Sequence, residues 1–90
     1  MDKTVQIFLI HSENCEDCQK AEEVITQAIK TTKISCKILK FLYDTQVAIN
    51  IAIKHDIDDL PGFVIGKQAF KGTNYTEKKI IDAIKEAYTQ

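Results

Sequence analysis

Residues Val5 to Ile10 read Val-Gln-Ile-Phe-Leu-Ile, an almost unbroken run of β-branched, aromatic and aliphatic side chains. A strand with one wet face alternates apolar and polar residues, whereas a run that is apolar at both parities needs cover on both faces. That is the position of a central strand in an α/β sheet. The residues that follow fit this reading. Cys18, Ala21, Ile25, Ala28 and Ile29 recur at helical spacing with charged residues between them, and Asn14 with Asp17 three positions later resembles an N-cap. A helix is therefore expected from Cys15 to about Lys30.

The alternation continues. Ile34 to Tyr43 is again β-branched and aromatic, and Asp44-Thr45 offers a cap for a segment from Gln46 to His55. Propensity alone would allow Val47 to Ile53 as a strand, but the length, the cap and the order of neighbouring elements favour a helix. Leu60-Pro61-Gly62 breaks the chain, after which Phe63 to Ile65 and Gln68 to Lys71 flank Gly66-Lys67, a pair suited to a two-residue hairpin turn. Ile80, Ile81, Ile84, Ala87 and Tyr88 form a last helical stripe, with Asn74 and Glu77 in capping-box positions. The predicted order is βαβαββα. It implies an α/β fold with a four-stranded mixed sheet, a right-handed parallel crossover at its start and helices on both faces.

Ninety residues fit one domain, taken as 1–90, and leave no room for a second. A formal net charge of −1 with interspersed signs provides no basic field for nucleic acid or an anionic membrane, so neither partner is expected. No stretch approaches transmembrane length, and the strand-like segment that follows Met1-Asp2-Lys3-Thr4 is too short for the apolar region of a signal peptide with its small-residue cleavage site. Three cysteines are too few, and odd in number, for a secreted disulfide framework. A reducing, cytoplasmic setting is the expectation.

The chemistry is concentrated at Cys15-Glu16-Asp17-Cys18. Residues three apart on a helix share a face, so the two sulfurs can meet. A disulfide there closes so short a loop that it restrains the unfolded chain little, which favours a functional dithiol over a structural staple. Cys18 belongs to the apolar stripe and is expected to point inward. Cys15 opens the helix, where free N–H groups and the dipole favour an anion, and is the expected nucleophile. Glu13, Glu16 and Asp17 place negative charge around that sulfur. They are expected to raise the Cys15 pKa relative to a neutral C-x-x-C and so to make the reduced protein the stronger reductant. They also complement the helix dipole. The competing readings are unconnected thiols, or half of a zinc site completed from His11, His55 and Cys36. No second C-x-x-C or H-x-x-x-H follows, and no metal is expected. Cys36, within a predicted strand, reads as a small core hydrophobe.

Three stretches carry a resemblance to a known family: Phe8 through Cys18, Tyr43-Asp44 through Pro61, and Phe63-Val64-Ile65-Gly66-Lys67 through Gly72. Together they resemble the thioredoxin superfamily, especially its minimal glutaredoxin-like members, over nearly the whole chain. The resemblance implies a thioredoxin-like fold and a thiol–disulfide oxidoreductase with Cys15 and Cys18 as the catalytic pair; the alternatives are a binding module that keeps the fold without turnover and holds an extended peptide at the Leu60-Pro61 edge, or a metal-binding carrier. It also implies a cis peptide before Pro61, which lies against the dithiol, and a backbone at Leu60 that pairs with the substrate chain, a form of strand addition. By local chemistry alone a type II turn centred on Pro61-Gly62 is equally good.

The sequence departs from the family at several points. Glu16-Asp17 replaces the Gly-Pro of thioredoxins and the Pro-Tyr of glutaredoxins, and no tryptophan precedes Cys15. Leu9 stands where thioredoxins keep a buried aspartate, which leaves His11 as the nearest group for proton transfer at Cys18. The Gly-Gly-Asp type segment that holds glutathione in glutaredoxins is not evident in Gly72 to Thr76. If glutathione binds, its carboxylates would be met at Lys67, Lys71 or a helix start at Asn74. Beyond the reversible disulfide, no tightly bound cofactor is expected. The expected partners are a disulfide-bearing protein or small thiol as substrate, and a reductase or small thiol as electron donor. A monomer is expected; a dimer is the alternative if the apolar surface of Val47–Ile53 is left uncovered. Core packing of this segment is the expectation, the alternative being a patch for a partner or a second copy, since its apolar breadth is large for one sheet to cover.

Overall fold

The computed structural model describes residues 3–89. The expected domain bounds of 1 and 90 lie outside them. The elements are β1 (Val5–His11), α1 (Glu16–Thr32), β2 (Cys36–Leu42), α2 (Gln46–His55), β3 (Gly62–Ile65), β4 (Gln68–Lys71) and α3 (Glu77–Tyr88). Their order is the predicted βαβαββα. The sheet runs β2-β1-β3-β4, with β1 parallel to β2 and antiparallel to β3, and with β3 antiparallel to β4. The strand that is apolar at both parities is central.

Strand alternation sends Val5, Ile7 and Leu9 of β1 to one face, together with Phe63 and Ile65 of β3. There they meet Ala21, Ile25 and Ala28 of α1 and Ile80, Ala83 and Ile84 of α3 in one buried cluster. Phe63, fully buried, stacks on Phe70 with ring centroids 4.8 Å apart and meets Tyr75 edge-on at 5.4 Å. Pairs of this kind add about 0.5–1.5 kcal/mol each beyond the area they bury. Ile10 and Val64, on the opposite face, are also buried, and Ile10 shares a groove with Ala48 and Ala52 of α2. Helices therefore cover both faces.

Three local expectations need correction. Asn14 does not cap α1. It sits in the left-handed region at φ 57°, while Cys15 takes the cap position and its sulfur accepts from the Cys18 N–H at 3.1 Å. Asn14 instead makes the sharp turn that delivers Cys15 to the helix start, a conformation asparagine tolerates. At α3 the cap is Thr76, which accepts from Lys79 N–H at 3.1 Å, and Asn74 lies outside the helix. Thr76 outcompetes it because its hydroxyl lies next to the first helical residue. Finally, α2 does not pack its whole apolar breadth. Ala48 is buried, but Val47, Ile49 and Ile53 are 49%, 40% and 75% exposed. A helix against one sheet face covers one stripe only, and here the stripe is carried by small residues.

Candidate active site

The dithiol is positioned by the junction of β1 and α1. His11 ends the strand, residues 12–14 turn, and Cys15 caps the helix. Cys15 and Cys18 are joined as a disulfide across Cα atoms 5.2 Å apart. Cys18 is 3% exposed and belongs to the inner face of α1, whereas Cys15 is only partly covered. The expected asymmetry of an accessible and a buried sulfur is present. The Cys18 N–H that donates to the Cys15 sulfur is one of the helix-start donors without an intrahelical backbone partner, and it would donate equally well to a thiolate there.

A cavity of about 380 Å³ lies beside the pair, bounded by Leu9, His11, Cys15, Cys18, Glu22 and Lys40. His11 is thus brought to the dithiol, and Leu9, 1% exposed, forms an apolar wall. Lys40 is already held by Glu22 at 3.0 Å. Glu13, Glu16 and Asp17 are exposed around the junction. Asp17 is also felt by Tyr75, whose phenol is pushed up, first by burial and then by the Asp17 charge.

The peptide bond between Leu60 and Pro61 is cis, as the family resemblance implied and local chemistry left open. Pro61 is buried, and its carbonyl accepts from Gly72 N–H at 2.8 Å, which ties the loop to the end of β4. Leu60 faces the 12–14 turn across a cavity of about 560 Å³ that Tyr43 and Asp44 also border. One contact at this loop is not encoded in any residue pattern. The Asp59 carboxylate accepts from the Leu60 N–H at 2.9 Å. Its other oxygen lies over Gly72, where φ is 64° and a Cβ would meet it at 2.8 Å. The bond runs to the next residue rather than two residues on, as in the turns aspartate favours, so the residue pattern carries no signal for it.

Other predicted residues fall elsewhere. Lys67 sits in the β3–β4 turn, at the end of β3 opposite Pro61, so it is far along the sheet from the dithiol. Lys71 is at the correct end but is paired with Asp58 at 3.1 Å. Cys36 pairs with Val5 at the start of β2 and packs against the core; burial pushes its thiol up. His55 is in the last turn of α2. Among the described residues, no group of three or more His, Cys, Asp or Glu side chains is placed to hold a metal ion, and no helix is long and apolar enough to cross a membrane.

A four-stranded mixed sheet in this order, with a bonded cysteine pair opening the helix after its central strand, defines a thioredoxin-like protein. The thioredoxin domain family model matches residues 3–85, and the chain belongs to that family. A solved structure titled "Structure of a malarial protein" shares the fold with a TM-score of 0.65, over 94% of this chain and 98% of that one, at 18% identity. No curated protein matches the chain. Family and cysteine pair together support a redox role.

Proposed function

We propose that the protein is a thiol–disulfide oxidoreductase acting mainly as a disulfide reductant. The observation that carries this is the pairing of a partly exposed Cys15 with a buried Cys18 at the start of α1. In the reduced protein the Cys15 thiolate attacks one sulfur of a substrate disulfide, forming a mixed disulfide and releasing the other sulfur as a thiolate. The Cys18 thiolate then attacks the Cys15 sulfur, closing the Cys15–Cys18 bond and releasing the second substrate thiolate. Two electrons pass to the substrate, which takes up two protons. His11, across the shared cavity, is the group proposed to take the Cys18 proton, because Leu9 offers no carboxylate.

The Leu60 backbone is proposed to pair with the substrate chain, with Pro61 holding the loop in place. Glu13, Glu16 and Asp17 are proposed to disfavour the Cys15 thiolate and so set the reductant direction. Oxidised protein would be returned to the dithiol by a reductase or a small thiol. A cytoplasmic, monomeric protein is the setting that matches this direction. Glutathione is left with few contacts: Lys71 is engaged by Asp58, and Asn74 is not a helix cap.

The test is the equilibrium reduction potential of the Cys15–Cys18 couple in dithiothreitol or glutathione buffers, with Cys15→Ser and Cys18→Ser as controls. A reversible couple near or below about −250 mV is expected, against roughly −270 mV for thioredoxin and −200 to −230 mV for glutaredoxins. A value well above about −200 mV overturns the reductant direction, and a pair that does not cycle overturns the redox reading.

A further inference from the structure

The surface beyond Leu60 is apolar in its floor and acidic at its rim. Ile10, Ala48, Ala52 and Ile57 line a groove of about 410 Å³ that Asp58 and Asp59 border. Past Tyr43 and Leu60 it continues into the cavity edged by Glu13 and Asp44, next to the turn that delivers Cys15. Glu13, Asp44 and Asp59 have no ion-pair partner among the described residues, while the nearby cations Lys40 and Lys71 are already held by Glu22 and Asp58. The path from the groove to the dithiol is therefore negative, although the chain as a whole carries a formal charge of only −1.

The Asp59 bond adds a second, independent constraint. Leu60 N–H is the donor a substrate chain would use in pairing with the Leu60 backbone, and in the free protein Asp59 occupies it at 2.9 Å. A docking chain whose carbonyl takes that donor releases the Asp59 carboxylate. A cation carried by the same chain then compensates it, whereas an anion adds repulsion to the lost hydrogen bond.

We propose that the substrates are polypeptide disulfides with an apolar residue for the groove and a Lys or Arg for Asp59 and Asp44, both within a few residues of the reactive cysteine. Acidic peptides and glutathione, which carries two carboxylates, are disfavoured by the same charges. This rests on the redox reading above, and the exchange follows the two steps given there. Because the carboxylates are exposed, the selectivity acts on encounter and is screened by salt.

The experiment uses pre-reduced protein and disulfide-linked homodimers of three peptides that differ only in carrying Lys, Gln or Glu beside the cysteine. The second-order rate of protein oxidation is followed by acid quench, with hydroxyethyl disulfide and glutathione disulfide alongside. The Lys peptide is expected to react about tenfold faster than the Glu peptide at low salt, with the ratio falling towards twofold at high salt. Asp59→Asn and Asp44→Asn are each expected to cut that ratio about two- to threefold, and replacing the apolar residue of the peptide by serine is expected to slow the Lys peptide. Equal or inverted rates, or a ratio unmoved in both variants, overturn the proposal. If hydroxyethyl disulfide oxidises the protein but no charge preference exists, the redox reading stands and this one falls. If no disulfide oxidises it, both fall.

Discussion

Neutralising the acidic residues around Cys15 tests the link between charge and redox direction. The perturbation is the triple variant Glu13→Gln, Glu16→Gln, Asp17→Asn, with the three single variants. All three side chains are exposed, so each acts on the Cys15 sulfur largely through water. At roughly 8 Å and water's dielectric constant, one unit charge disfavours a thiolate by about 0.5 kcal/mol, and somewhat more because Cys15 is itself partly covered. For a two-electron couple about 1.4 kcal/mol corresponds to 30 mV, so at alkaline pH, where the reduced Cys15 is ionised, each single variant is expected to raise the reduction potential by about 10 mV and the triple by about 30 mV, with smaller shifts at lower pH. Protein and dithiothreitol or glutathione are equilibrated at low ionic strength, where the Debye length is about 30 Å at 0.01 M, and the redox forms are quantified after thiol trapping. The increment is expected to shrink at about 1 M salt, where that length is about 3 Å. An unchanged or lowered potential in the triple variant would refute the reasoning, because the helix start and the Cys18 N–H are present in both proteins.

Further predictions follow from the packing and the caps. Phe63→Ala removes a fully buried ring between Phe70 and Tyr75 and is expected to lower unfolding stability in urea by about 3–5 kcal/mol. Lys33 ends α1 in the left-handed region at φ 59°, so Lys33→Gly is expected to stabilise by about 0.5–1 kcal/mol, read as a raised urea midpoint. Thr76→Ala removes the hydroxyl that caps α3 and is expected to destabilise by about 1 kcal/mol on the same assay. Cys36 and Tyr75 are both pushed up from ordinary values of 9.0 and 10.0 by burial, with Asp17 adding to the effect at Tyr75. A group held neutral by the fold contributes stability that is whole below its unfolded pKa and is lost as pH rises through its folded one. Stability is therefore expected to fall from about pH 9 upward, and a Cys36→Ala, Tyr75→Phe double variant to lose less over that range.

The elements were legible because their patterns are strong. β1 is apolar at both parities, the stripe of α1 is regular, and Gly66-Lys67 marks the hairpin. The dithiol was legible too, since spacing and the position of Cys18 in the stripe fix which sulfur is buried. What the sequence did not show depends on competition between neighbours. Asn14, Cys15 and Thr76 are decided by which residue reaches the first free N–H groups, and several side chains near each helix start can do so on paper. The exposed face of α2 was hidden for a different reason: Val47, Ile49 and Ile53 are apolar, but the sheet offers one side only, and Ala48 claims it. The Asp59 bond to Leu60 belongs to the cis loop, and the effect of the Asp17 charge on Tyr75 arises only once the chain is folded. No periodicity encodes them.

The start of α1 shows why stability and redox chemistry are hard to separate here. A cysteine sulfur is a weak acceptor, so Cys15 is a poorer cap than the Thr45 and Thr76 hydroxyls that begin α2 and α3. Glu16 and Asp17 in the first turn offset this by meeting the positive end of the helix dipole. On reduction a Cys15 thiolate becomes a strong, charged acceptor for the Cys18 N–H. The same acids that supported the helix while the sulfur was neutral now repel it. Removing them therefore weakens the oxidised helix start more than the reduced one. That stability difference and the expected rise in reduction potential are two faces of one thermodynamic cycle. Urea unfolding of the triple variant in both redox states is accordingly expected to show the larger loss in the oxidised protein, and equal losses would mean that the acids do not act on the sulfur.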